Sequence, residues 1–251
     1  MKTIVLQYEN NEFKIQYDVT KSKKRKKTIG ITIDTDMKVV VKAPHTAKEE
    51  EIKYILQKRS RWIFNKIKEL QKVKEPPASK NFVTGEKILF LGEDYPIEII
   101  EVDGKKKKSY IKNIEIYFNN NIFHIVCLKE SNSRELIINA LEKWFREKGK
   151  KIIIERVNYY KREVGVEPNQ VRIKTQKKRW GSCSSLGNLN FNWKLAMAPI
   201  SVIDYVVVHE LTHLLYPNHS KEFWQAVESV IPDYKEKREW LKYNGRIFQM
   251  N

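Results

Sequence analysis

Polar and apolar positions alternate through residues 3–42 in four stretches: Thr3 to Tyr8, Glu12 to Val19, Thr28 to Asp34 and Lys38 to Lys42. A period of two, rich in β-branched residues, predicts strands. Asn10-Asn11 suits a hairpin turn between the first pair. From Thr46 the period lengthens. Thr46 and Glu49 have the form of a capping box, and Ile52, Ile55, Leu56, Ile63 and Ile67 mark a helical stripe, so one helix is expected to about Val73. Trp62 and Phe64 read as packing residues, and His45 as a surface residue. Glu75–Lys80, with two prolines, is the best linker candidate.

Alternation resumes at Lys87 to Leu91, Pro96 to Val102, Tyr110 to Phe118 and Asn121 to Leu128, with turns at Gly92-Glu-Asp94 and Asn119-Asn120. Ser131 to Ser133 opens a long helix to about Gly165, with Leu136, Ile137, Leu141, Trp144, Phe145, Ile152 and Ile153 on its buried side. Gln170 to Thr175 and Asn188 to Trp193 read as strands. Ser201 to Tyr216 reads as one buried helix stopped by Pro217, and Ser220 as the N-cap of a helix over Lys221 to Val230. No internal repeat is visible. The pattern gives an α+β chain: strands plus a helix over 1–75, then 81–251, with hairpins in 81–128 and a helical part in 131–251.

Composition narrows the class. At 251 residues the chain can bury a sizeable core. No apolar run approaches the roughly 20 residues that span a bilayer, and Met1–Gln7 turns charged too early for a signal peptide. Cys127 and Cys183 are the only cysteines, so no disulfide framework is implied. A cytoplasmic protein with no membrane partner is expected. The net charge of +17 makes an anionic partner, nucleic acid first, a reasonable expectation. Two basic runs, 21–27 and 105–108, carry much of it. Each could grip phosphates, but such runs are more often solvated edges or turns.

The chemistry gathers near the C-terminus. His209-Glu210-Leu-Thr-His213 and His219 place three of the five histidines within eleven residues. Four residues apart on a helix, His209 and His213 share a face and can hold one metal ion. Glu210 lies about 100° further round, beside such an ion, where it can act as general base. After the Pro217 stop the chain can return His219 as a third ligand. Zn2+, one per chain, is the expected cofactor, with water in an open fourth position. Arg179, Tyr205, Tyr216 and Tyr234 are candidates for stabilising an oxyanion.

Residues 176–193 form a second constellation. Asn188, Asn190 and Asn192 alternate with Leu189, Phe191 and Trp193, giving a strand with one amide-lined face. Such a face can hydrogen-bond an extended peptide laid alongside. Arg179, Trp180, Asn190 and Asn192 are therefore the candidate substrate-binding residues. His124 and Cys127 fall on opposite faces of their strand and read as structural, and Cys183 as structural or weakly redox-sensitive.

Arg179-Trp-Gly-Ser-Cys183, Gly187-Asn-Leu-Asn-Phe-Asn192, Asp204 to His213, Pro217-Asn-His-Ser220, Phe223-Trp224 and Pro232-Asp-Tyr234 together resemble the YgjP-like metallopeptidase family, related to the WLM and SprT-type zinc peptidases. Trp144-Phe-Arg-Glu147, Gly85-Glu86 and Leu91-Gly92 are similar to its earlier motifs. The resemblance covers roughly 80–245. It implies a zincin-like domain behind a β-rich N-terminal part, one zinc held by His209, His213 and His219, and a catalytic Glu210. The expected activity is hydrolysis of polypeptides, including proteins associated with nucleic acid. Two rivals stay open: a zinc-dependent hydrolase of nucleotide phosphates, and a nucleic-acid-binding protein whose structural zinc takes Cys183 as fourth ligand.

Overall fold

The computed structural model describes residues 2–34, 37–72, 80–102, 114–176 and 179–248. It divides into two compact units, Met1–Lys74 and Glu75–Asn251. The linker residues 75–79, the second basic run at 105–108 and the start of the strand expected from Tyr110 lie outside the described residues.

In the first unit, β1 (Lys2–Tyr8), β2 (Asn11–Ser22), β3 (Gly30–Ile33) and β4 (Val39–Pro44) form a sheet in the order β1-β2-β4-β3. β1 and β3 are antiparallel to their neighbours, and β2 and β4 pair in parallel. The turn between β1 and β2 is Glu9-Asn10, one residue earlier than expected, because Tyr8 pairs with Asn11. β2 runs on to Ser22, so the first basic run begins inside a strand, where Lys21 donates to the Ala47 carbonyl. Leu6, Ile15, Tyr17, Val39 and Val41 point to one side of the pleat and are buried there.

The expected single helix is two: α1 (Glu49–Lys58) and α2 (Ser60–Gln71), parted at Arg59 where the backbone turns to φ −102°, ψ 12°. The start differs too. Lys48 is the N-cap, and its N–H donates to Glu51 at 2.8 Å, so Thr46 and Glu49 form no capping box. The break keeps Ile52, Leu56 and Ile63 all within the sheet's core.

In the second unit, β5 (Lys87–Phe90), β6 (Glu93–Val102), β7 (Glu115–Asn119) and β8 (Ile122–Leu128) pair in the order β5-β6-β8-β7, with β6 and β8 parallel and both edges antiparallel. The strand plan of the first unit is thus used twice. The repeat is invisible in the sequence because it lies in the pairing and not in residue identity. His124 pairs with Glu98 at 2.7 Å and Cys127 is fully buried on the opposite face.

α3 (Arg134–Val164) starts at Ser133, whose hydroxyl accepts the Leu136 N–H, and ends at Gly165 with φ 76°. It buries Ile137, Leu141, Trp144, Phe145, Ile153 and Val157 against the sheet and against α4 (Ile200–Thr212). Val206-Val207-Val208 in α4 favours a strand by propensity. The preference is worth only a few tenths of a kcal/mol per residue. Burying those valines with Ile203 and Leu211 contributes on the order of 10 kcal/mol, so packing decides. Arg156 on α3 grips Asp204 on α4 with two bonds, 2.5 and 2.9 Å.

A third sheet, order β10-β11-β9, comprises β9 (Gln170–Lys174), β10 (Gly181–Cys183) and β11 (Asn188–Asn192). α5 (Lys221–Val230) and α6 (Tyr234–Asn244) complete the unit. Among the described residues no helix is long and apolar enough to cross a membrane.

Candidate metal centre

α4 carries His209 and Glu210 out of the core. The helix ends at Thr212, one turn earlier than the proline requires, but His213 at its C-cap keeps a right-handed backbone (φ −64°, ψ −17°) and so stays on the face of His209. The chain then turns through Leu214–Pro217, and Ser220 caps α5 by accepting the Phe223 N–H. His219, the residue before that cap, is thereby held over the end of α4. The ligand-capable nitrogens of His209, His213 and His219 all lie within 4.8 Å of one another.

The local chemistry suits a metal ion. His213 Nδ1–H donates to the Tyr216 carbonyl at 3.1 Å, which leaves Nε2 as a free lone pair. His209 and His219 approach Nε2 to Nε2 at 3.1 Å, close to the ~3.3 Å between two ligands of a tetrahedral ion with bonds near 2.0 Å. Burial, then the charges of His213, His219 and Arg238, pushes His209 down to about 3. Burial, His213 and Arg238 also lower His219. Neutral imidazoles are the form that binds metal.

Beside them Glu210 is 4% exposed, and its Oε2 is buried without a hydrogen-bond partner among the described residues. Burial pushes its carboxyl up to about 8, opposed by the charge of Arg179. Glu210 fits only because residue 181 is glycine. A Cβ there would lie 2.5 Å from its Oε1. The histidines and Glu210 floor a cavity of about 890 Å³, walled by Arg179, Gly181, Ser182, Cys183 and the turn Ser184–Gly187 on one side and by Leu214 and Pro217 on the other.

The remaining candidates separate. Of the four oxyanion candidates, Arg179 lines the cavity. Tyr205 is 6% exposed, edge-on to His209, with its hydroxyl pushed up to about 12 by burial. Tyr234 is buried against Trp224, and Tyr216 contributes its carbonyl to His213. Trp180 packs on Phe248 and against Gly245, away from the cavity. Asn190 donates to Ser182. Asn192 is 2% exposed; its amide donates to the carbonyls of Gln176 and Arg179, and its oxygen accepts the Lys194 N–H. It fixes the loop that bears Arg179. β11 has no free edge for a peptide, being paired on both sides by β9 and β10. Cys183 stands in the cavity wall, outside the histidine cluster, its thiol raised by burial and by Glu210.

Sequence reasoning assigns no role in the site to Gly181, Trp224 or Arg238, although the first two fall within motifs of the family resemblance. A glycine in a polar turn signals only flexibility, and nothing in a helical pattern says that a tryptophan and an arginine on two different helices meet a loop histidine.

A family model described as YgjP-like, metallopeptidase domain, matches residues 27–244, reaching back into the first unit. Among solved structures, the crystal structure of the metallopeptidase zymogen of Pyrococcus abyssi abylysin is 25% identical, over 37% of this chain and 97% of that one, with a TM-score of 0.34. No curated protein matches the chain.

Proposed function

Since the chain belongs to the YgjP-like metallopeptidase family, we propose that it is a zinc-dependent peptidase, with zinc on His209, His213 and His219 and with Glu210 as general base. The observation that carries this is the convergence of three imidazole nitrogens beside a buried carboxylate whose Oε2 has no hydrogen-bond partner among the described residues, on the floor of one cavity. The zinc would supply a Lewis acid that acidifies water and polarises the scissile carbonyl.

The protein's own groups do the rest. The Glu210 carboxylate takes a proton from the attacking water and returns it to the amine that leaves. Its desolvated setting makes it a stronger base than a solvated glutamate. Arg179, the cation in the cavity wall, stabilises the negative charge that develops on the carbonyl oxygen. Asn192 holds Arg179 in place through its backbone carbonyl. Cys183 outside the histidine cluster favours an open catalytic site over a closed structural one.

The substrate is a polypeptide. The +17 charge supports substrates associated with nucleic acid. The test is digestion of a defined peptide library, with cleavage sites read by mass spectrometry, using wild type and Glu210→Gln at equal zinc content. Cleavage by the wild type alone supports the proposal. Equal cleavage by both removes Glu210 from the chemistry, and cleavage by neither removes the peptidase reading.

A further inference from the structure

The three histidines are not held alike. His209 sits on the buried helix α4, and His213 is fixed by its bond to the Tyr216 carbonyl. His219 is exposed and comes from the loop before α5, and among the described residues its ring makes no hydrogen bond except the approach to His209. Ligating histidines are ordinarily oriented by a carboxylate, carbonyl or water on the second ring nitrogen. The plane of the exposed His219 ring is bounded by two aromatic neighbours, and Phe223 stands edge-on to it at 4.8 Å between centroids. The His219 imidazole lies nearly parallel to the Trp224 indole, 19° between planes and 5.5 Å between centroids. Trp224 in turn is stacked with Tyr234, 15° and 5.2 Å. The Arg238 guanidinium lies 4.9 Å from the Trp224 ring centre. Tyr234 and Arg238 are four apart on α6 and so share the face that meets Trp224.

We propose that Trp224 is the positioning residue for the third metal ligand, and that Tyr234 and Arg238 brace it. An aromatic stack fixes the plane of the imidazole and leaves rotation within that plane, which suits a ligand delivered by a loop. The cation over the indole adds to the stack, because the ring face is electron-rich. Arg238 is a charge near the histidines that no carboxylate pairs among the described residues, and bracing the tryptophan gives it a role. The proposal rests on the reading of the histidine cluster as a zinc site.

The test is the zinc affinity of the full chain, measured by competition with a chromophoric chelator, for wild type, Trp224→Leu, Trp224→Phe, His219→Ala and the Trp224→Leu/His219→Ala double variant. Leucine keeps apolar volume and removes the stack, and phenylalanine restores a ring. The far-UV circular dichroism of each metal-free protein checks that it folds. The expected result is a loss of about 10–100-fold for Trp224→Leu, substantial recovery in Trp224→Phe, and no further loss when Trp224→Leu is added to His219→Ala.

Wild-type affinity in folded Trp224→Leu overturns the positioning role alone, as does a loss in the double variant equal to the sum of the single losses. Should Trp224→Leu fail to fold, Trp224→Phe decides with Tyr234→Leu: Phe at wild-type affinity and a weakened Tyr234→Leu uphold the stack, and an unweakened Tyr234→Leu overturns it. A wild type that binds no zinc overturns the zinc reading itself, and this proposal with it.

Discussion

Gly181 and Glu210 occupy space that two ordinary residues could not share. A Cβ on Gly181 would fall 2.5 Å from Oε1, 2.6 Å from Cγ and 2.8 Å from the carboxyl carbon of Glu210. Glu210 stands on a packed helix and cannot retreat, so even the smallest side chain at 181 must turn the carboxylate.

Gly181→Ala is therefore expected to lower peptidase turnover by roughly 100-fold, the scale of a misplacement of about 1 Å. Zinc content should stay at the wild-type level, because the histidines are untouched. Turnover and zinc stoichiometry on one preparation check both statements.

Glu210→Gln should retain zinc and lose turnover by about 10²–10⁴-fold, the range for removal of a general base. The amide keeps the shape and cannot accept the proton. Turnover within a few-fold of wild type would count against the role.

On the zinc reading, His213→Ala should bind zinc far more weakly and lose it on purification, since it removes one of three ligands and the one whose tautomer is fixed by Tyr216. Adding zinc to chelator-stripped wild type should raise its melting temperature, with about 2.7 kcal/mol of added stability at 100 times Kd. His213→Ala should show no such rise. Calorimetry with and without zinc reads both.

Asp204→Ala should destabilise the second unit by about 2 kcal/mol. The substitution removes the two hydrogen bonds that hold the Arg156 guanidinium at the contact of α3 with α4 and leaves it against the rings of Tyr159 and Tyr160. A urea titration followed by circular dichroism measures the change.

If the basic runs serve nucleic acid, binding to duplex DNA should be independent of sequence and fall steeply with salt, with a logarithmic slope of about −0.9 per phosphate neutralised. Replacing the lysines of 21–27 and 105–108 by glutamine should flatten that slope and leave zinc content unchanged. Fluorescence anisotropy at several salt concentrations decides it, and absence of binding at low salt ends the nucleic-acid reading.

Much of the centre was legible because its logic is local. His209 and His213 share a helical face by spacing alone, and Pro217 and Ser220 are read directly as a stop and a cap. What was hidden depends on meetings between distant segments. Asn190 and Asn192 read as a peptide platform because alternation shows which face they share, but not that β9 and β10 flank their strand. Trp180 reads as a substrate contact in a polar stretch, but it packs on Phe248 instead. The break at Arg59 carries no glycine or proline, so the apolar stripe runs through it unmarked. The helical state of Val206–Val208 was readable only from the histidine spacing that follows it.

The two sheets built to one strand plan each close on their own core: the apolar cluster of the first unit lies between Ile4 and Ile67, that of the second between Phe82 and Phe248, and they share no residue. Separate cores are separate cooperative units, so loss of structure in one need not be loss in the other. The six tryptophans are divided unevenly between them, since Trp62 alone lies in the first unit. Intrinsic fluorescence will therefore follow the melting of the unit that holds the histidines and be nearly blind to the other, whereas circular dichroism will register both. Where the two curves part, the gap measures the first unit's own stability.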